Sequence, residues 1–181
     1  WVLIPTLYSC APSGELRAIV ATRLTADRNT EIRHVQISPD GRYVLYTMTK
    51  TERSGGDPYT TSHVYMAHSD GSGFWQVTTG DTYDRYPRWS PDGKRIAFIS
   101  KHGNFERLSL IRKDGSHIRP LTESRSKIVG FRWSPVGQKI AFVSPEVGSL
   151  SGQRKQEGRY GRRPRTTNQL WVIPVVPEQP E

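Results

Sequence analysis

The sequence predicts an all-β fold built from repeated antiparallel units. Three observations carry that expectation. A Ser-Pro turn followed by an apolar strand recurs three times, and a Leu-Thr or Val-Thr pair recurs in phase with it. In addition, 13 Pro and 16 Gly punctuate the 181 residues, too many breakers for a helical bundle. Hydrophobic residues make up only 34%, but five Trp, eight Tyr and five Phe supply the large apolar groups that strands favour.

The turn repeat is direct. Ile37-Ser38-Pro39-Asp40-Gly41-Arg42-Tyr43-Val44-Leu45-Tyr46 recurs as Trp89-Ser90-Pro91-Asp92-Gly93-Lys94-Arg95-Ile96-Ala97-Phe98. It recurs again as Trp133-Ser134-Pro135-Val136-Gly137-Gln138-Lys139-Ile140-Ala141-Phe142. The serines lie 52 and then 44 residues apart, close to the roughly 40–50 residues of a four-stranded propeller blade. Thr25, Thr78 and Thr122 precede those serines by 13, 12 and 12 residues. Two markers in one phase make chance similarity a poor account.

Each unit reads as four strands. Ser-Pro-Asp-Gly is hairpin chemistry: Pro presets φ, Asp bonds its own backbone, and Gly accepts the left-handed position. A strand such as Arg85–Ser90 precedes the turn, and Tyr43–Met48, Arg95–Ser100 or Lys139–Ser144 follows it. In the last two, Ile and Phe alternate with small or polar neighbours at the strand period. Third strands are expected at His63–His68, Glu106–Arg112 and Gln169–Val175. After Asp70-Gly71 and Asp114-Gly115 turns, fourth strands are expected at Phe74–Thr78 and His117–Thr122. The sum is a partial β-propeller of about three four-stranded antiparallel blades. Val136 stands where the third turn should carry Asp, which weakens that turn without changing the assignment.

This succession of Ser-Pro-Asp-Gly, Lys-Arg-Ile-Ala-Phe, Asp-Gly-Ser and Leu-Thr resembles the TolB-type propeller repeat, a WD40-like blade. It is also similar to the N-terminal propeller of prolyl-oligopeptidase-family serine peptidases of the acylaminoacyl-peptidase type. In those, a basic loop can precede a strand like Gln169-Leu170-Trp171-Val172. The resemblance covers about residues 24–176 and implies the fold strongly. It implies function weakly, because such blades serve unrelated activities.

The blades are expected to fill residues 24–181, behind an N-terminal segment, 1–23, that is a leader remnant or a closing strand. A basic insertion at 145–168 interrupts the third unit, and Lys50–Ser62 reads as a smaller insertion at the same place in the first. Both would emerge on one face, and insertions often mark the binding face of a repeat protein. Leu16–Thr25 ends in Leu-Thr like a fourth strand, while the third unit shows none. The ring is then completed either by the remaining blades of a longer chain or by strand exchange with a second copy.

The residues offer little chemistry. The nearest approach to a Gly-x-Ser-x-Gly nucleophile elbow, Gly148-Ser149-Leu150-Ser151-Gly152, puts Leu150 at the nucleophile position. No cofactor and no metal are expected: of the five histidines only His63 and His68 lie close, and five residues apart in a strand they point to opposite faces. Asp40, Asp92, Asp70 and Asp114 read as turn residues, and Trp89 and Trp133 as packing residues. Tyr83, Asp84 and Arg85 fall in the turn entering the second blade, where Tyr83 and Arg85 are candidate partner contacts at the channel mouth.

Net charge is +9, which favours acidic partners without naming one. Arg154, Lys155, Arg159, Arg162, Arg163 and Arg165 face Glu157 alone in one stretch. That stretch is a solvated insertion, a dock for an acidic protein or anionic membrane surface, or a phosphate contact. Only Tyr160 interleaves it, which disfavours nucleic acid. Cys10, in Leu7-Tyr8-Ser9-Cys10-Ala11, has two readings. One is a lipid-modified cysteine, which would anchor the chain to a membrane and place it in the extracytoplasmic or periplasmic space; the other puts Val2–Tyr8 in a strand of a preceding blade. No apolar run reaches the ~20 residues that span a bilayer.

The favoured expectation is a non-catalytic propeller that binds a protein or carbohydrate partner. The alternative is the N-terminal propeller of a prolyl-oligopeptidase-family serine peptidase, gating a catalytic domain outside this chain.

Overall fold

A computed structural model describes residues 30–52, 59–122, 127–145 and 168–176, and the backbone alone of 7–10 and 16–19. All regular structure among them is β-strand. Strands β1 (Leu7–Cys10) and β2 (Leu16–Ile19) form an antiparallel hairpin. The first blade is β3 (Glu31–Ile37), β4 (Tyr43–Glu52), β5 (Tyr59–His68) and β6 (Phe74–Gln76). The second is β7 (Tyr83–Trp89), β8 (Arg95–His102), β9 (Phe105–Arg112) and β10 (Arg119–Pro120). The third shows β11 (Gly130–Trp133), β12 (Lys139–Ser144) and β13 (Gln169–Pro174). Strands pair antiparallel within each blade, and one parallel bridge, Ser62 to Tyr83, joins the first blade to the second.

The Ser-Pro turns explain why the hairpins close where they do. Ser38 Oγ donates to Asp40 Oδ1 at 2.5 Å and accepts the Tyr43 N–H at 2.9 Å. Ser90 repeats both bonds with Asp92 and Arg95 at the same distances. In the third turn Val136 is 74% exposed, yet Ser134 Oγ still accepts the Lys139 N–H at 3.1 Å. Serine and a left-handed Gly137 (φ 71°) therefore suffice without the aspartate. That glycine is also needed for space: a Cβ there would sit 3.3 Å from Pro91 Cδ, because consecutive turns stack.

Side chains alternate across the strands to build packed layers between blades. Leu45, Val64, Met66 and Val77 of the first blade meet Trp89, Ile96, Phe98 and Ile111 of the second. Ala97, Ile99, Leu108 and Leu110 on the second blade's other face meet Phe131, Ile140, Phe142 and Val175 of the third. Most of these side chains are fully buried, and each Val, Leu, Ile, Met or Phe among them is worth about 1.5–3 kcal/mol over an exposed position. Trp89 and Trp133 serve this packing.

Four expectations need correction. The ends of Lys50–Ser62 are strand, because Thr49 with Ser62 and Thr51 with Thr60 form cross-strand hydroxyl pairs that prolong the β4–β5 ladder; 53–58 lie outside the described residues. Tyr83, Asp84 and Arg85 are not in a turn but open β7, paired to Lys101, Ser100 and Ile99. Leu16–Ile19 is not a lone fourth strand, since it pairs with Leu7–Cys10 of its own chain. The fourth strands are shorter than expected. In the first blade Val77 and Thr78 leave the ladder: both amides turn to Val64 O, and Thr78 Oγ1 accepts the Val64 N–H at 2.9 Å. Thr122 does the same for Leu108 at 3.1 Å, which is the physical reason a Thr ends the first and second blades.

Candidate functional site

Where β7 begins, its side chains alternate between the interior and a cleft. The β8–β9 hairpin turns at Gly103 (φ 57°), and the chain re-enters at Lys127 to start the third blade. Together they bound a cleft of about 480 Å³ lined by Asp81, Tyr83, Arg85, Lys101, Glu106 and Lys127, among others.

Arg85 and Glu106 are the fixed part of this cleft. Their side chains are 16% and 12% exposed and meet at 2.7 Å. Arg85 Nη2 also donates to Ile128 O at 3.1 Å, and Glu106 Oε2 accepts the Ile128 N–H at 2.7 Å. The ion pair thus holds both main-chain polar groups of one residue of the third blade, Ile128, and shielding from water strengthens each bond. Lys101, Lys127 and Asp81 stand exposed around it. The cleft combines a held cation with exposed lysines, a carboxylate and a tyrosine, which suits binding of a polar, charged ligand.

Behind the cleft, Asp84 is buried (1% exposed) and acts as a hub. Thr78 Oγ1 donates to its Oδ2 at 2.5 Å and Ser100 Oγ to its Oδ1 at 2.6 Å. Ser62 Oγ donates to its main-chain oxygen at 2.8 Å. His63 Nδ1 approaches Oδ2 only to 3.8 Å, beyond hydrogen-bond range, and is itself buried without a partner. His63 borders a second opening with Tyr59, Thr61, Gly80 and Asp81, so Asp81 separates the two clefts.

Of the residues singled out from sequence, Tyr83 and Arg85 come together in the first cleft. Arg154, Lys155, Arg159, Arg162, Arg163 and Arg165 lie outside the described residues. Cys10 ends β1, opposite Leu16 in the register. Sequence reasoning missed Lys101, Glu106 and Lys127. The repeat held one signal for them: Lys127 stands seven residues before Ser134, as Tyr83 does before Ser90. No group of three or more His, Cys, Asp or Glu among the described residues is arranged to hold a metal ion.

No family model matches the chain. It is 35% identical over 105 residues to the "Uncharacterized peptidase YuxL" of Bacillus subtilis, covering 55% of this chain and 16% of that protein. It is 33% identical over 95 residues to "Dipeptidyl-peptidase 5" of Porphyromonas endodontalis, covering 52% of this chain and 14% of that protein. The chain therefore spans about one-sixth or less of the curated relatives it matches. Among solved structures, the putative TolB of Agrobacterium tumefaciens superposes with a TM-score of 0.57 at 20% identity, covering 94% of this chain and 53% of that one. An acylaminoacyl peptidase superposes with a TM-score of 0.58 at 14% identity, covering 81% and 24%. At these identities the structural likeness establishes the fold: the described strands are β-propeller blades.

Proposed function

We propose that this chain is the propeller part of a larger serine peptidase of the prolyl-oligopeptidase type, with blades that admit substrate to a catalytic domain elsewhere in the polypeptide. The observation that carries this reading is that sequence relatives bearing peptidase names align at 33–35% identity while this chain spans 14–16% of each. A structural fact supports it. Ala97, Ile99, Leu108 and Leu110 are at most 1% exposed because the third blade covers them. The same repeat positions in the third blade are Ala141, Val143, Leu170 and Val172, and there Leu170 is 72% and Val172 58% exposed. A face shaped to receive another blade fits a propeller of more than three.

The test is covalent labelling with a fluorophosphonate of the full-length product that contains these 181 residues. Labelling of a serine outside this chain is expected, and a product that stays unlabelled while folded overturns the proposal. A second reading, a non-catalytic TolB-like propeller that binds a protein or carbohydrate partner outside the cytoplasm, with Cys10 as a lipid anchor, draws support from the 94% coverage by the TolB structure. Metabolic labelling with a fatty acid, lost in Cys10→Ser, would favour it.

A further inference from the structure

The first strands of the blades carry a charged feature apart from the cleft. These strands approach one another: the His34 ring of β3 lies 4.2 Å from the Tyr86 ring of β7, and Trp133 Nε1 of β11 donates to Arg88 O at 3.4 Å. Four arginines sit along them with unequal partners. Arg33 bonds Glu31, and Arg85 bonds Glu106. Arg88 and Arg132 share one repeat position, two residues before Ser90 and Ser134, and neither meets a carboxylate among the described residues. Arg132 Nη1 turns back to Phe131 O at 2.9 Å, and its other donors meet no partner among the described residues.

Local backbone geometry presents these groups. His34 (φ 57°) and Tyr86 (φ 54°) occupy equivalent positions in the left-handed region, a costly conformation for residues with side chains. Each lies inside a bulge, between Arg33 and Gln36 in β3 and between Arg85 and Arg88 in β7, and bulges re-aim the side chains that follow. Tyr86 is 37% exposed, with the Arg85 guanidinium 5.3 Å from its ring centroid. Trp133, next to Arg132, reaches the main chain of Arg88, so the two strands bring like charges to one region with no described anion to offset them; burial and then Arg132 depress the basicity of Arg88.

We propose that Arg88 and Arg132, flanked by Tyr86 and His34, form a carboxylate-binding site on the first strands of the second and third blades, and that its ligand is an extended acidic peptide. Guanidinium forks match a carboxylate through paired N–H···O bonds. Tyr86 is the one exposed tyrosine on these three strands and offers little for base stacking, which favours a peptide over single-stranded nucleic acid. The site does not depend on an accompanying peptidase domain.

The test is calorimetric titration of the 181-residue chain with acetyl-Gly-Glu-Glu-Glu-Gly-amide and its Gln counterpart, with the arginine Nε–Hε resonances followed by NMR. The Glu peptide should bind and shift Arg88 and Arg132, and Arg88→Gln or Arg132→Gln should each weaken it about tenfold. Arg88→Lys, which keeps the charge but loses the fork, should weaken it too, in a chain that melts as before. Arg107→Gln, an equal loss of charge on β9, should leave it within about twofold. The proposal is overturned by no binding, by equal binding of the Gln peptide, by an equal loss in Arg107→Gln, or by an eight-residue oligothymidylate that displaces the peptide at equal concentration.

Discussion

The junction between the first and second blades and that between the second and third use equivalent positions with opposite chemistry. Six residues before the turn serine stands Asp84 at the first junction and Ile128 at the second, at 1% and 0% exposure. Asp84 collects the hydroxyls of Thr78 and Ser100, whereas Ile128 packs among Leu108, Phe131 and Ile140. The tether reverses as well. Ser62 reaches the main-chain oxygen of Asp84, while Glu106, its counterpart on the second blade, takes the main-chain N–H of Ile128 and Arg85 takes its oxygen. What the fold requires at this point is a backbone held by the preceding blade; whether a polar hub or an aliphatic side chain fills the space beneath is left to the neighbours.

Exchanging the two residues should break this comparison most severely. Ile128→Asp buries a carboxylate among apolar side chains and should cost about 3–5 kcal/mol in denaturant unfolding, as uncompensated buried charge does. Asp84→Ile leaves the buried Thr78 hydroxyl and the half-buried Ser100 hydroxyl without their acceptor and should cost about 2–3 kcal/mol. A loss below about 1 kcal/mol in Ile128→Asp would show that Thr122 and Ser144 accept a carboxylate as Thr78 and Ser100 do, and the junctions would then be interchangeable.

The tethers should give a smaller effect. Glu106→Gln weakens the hold on the Ile128 N–H and leaves Arg85 without its carboxylate, for a loss of about 1.5–3 kcal/mol, while Ser62→Ala removes one neutral bond for about 1 kcal/mol. Hydrogen exchange sharpens the distinction. The Ile128 amide should lose protection in Glu106→Gln and keep it in Ser62→Ala. Equal loss in both variants would mean that the blades open as one unit rather than junction by junction.

The difference between the junctions also marks how far the sequence could be read. Turns and central strands were legible because their chemistry is local: Ser38 and Ser90 bond their own turns, and Lys139–Ser144 spans the strand its alternation predicts. The cleft was only half legible. Tyr83 and Arg85 stood out beside the turn motif, but Glu106 and Lys127 reach them from the next hairpin and the next blade. Twenty-one residues separate Arg85 from Glu106, and no local pattern reports a contact at that range. Asp84 reads as part of a turn in sequence, and its place in β7, its burial and its distant hydroxyl donors set it apart from Asp40 and Asp92.

The smallest effect should come from acid, and it separates the first-strand cluster from the turns. Burial, and then the nearby Arg33, Arg85 and Arg88, hold the His34 imidazole below its usual value of 6.5. The groups facing it are those three cations, the Tyr86 ring and the Thr47 hydroxyl, with no described carboxylate in contact. The folded chain therefore binds this proton less readily than the unfolded chain. Its contribution to stability is complete above pH 6.5 and is lost as pH falls through the lowered folded value. The turn aspartates act in a more acid window. The Ser38 hydroxyl and the Arg42 amide hold Asp40 below 3.8; burial pushes Asp92 upward, but the Ser90 hydroxyl and Lys94 amide outweigh it. Their contribution is present above 3.8 and lost only as pH falls further. Thermal melts stepped downward from pH 7 should show a shallow decline beginning near 6.5 that His34→Gln flattens, followed by a separate fall below about 4 that it leaves unchanged. A His34→Gln chain with an undiminished first decline would move that proton uptake to another histidine and remove the cationic cluster as its cause.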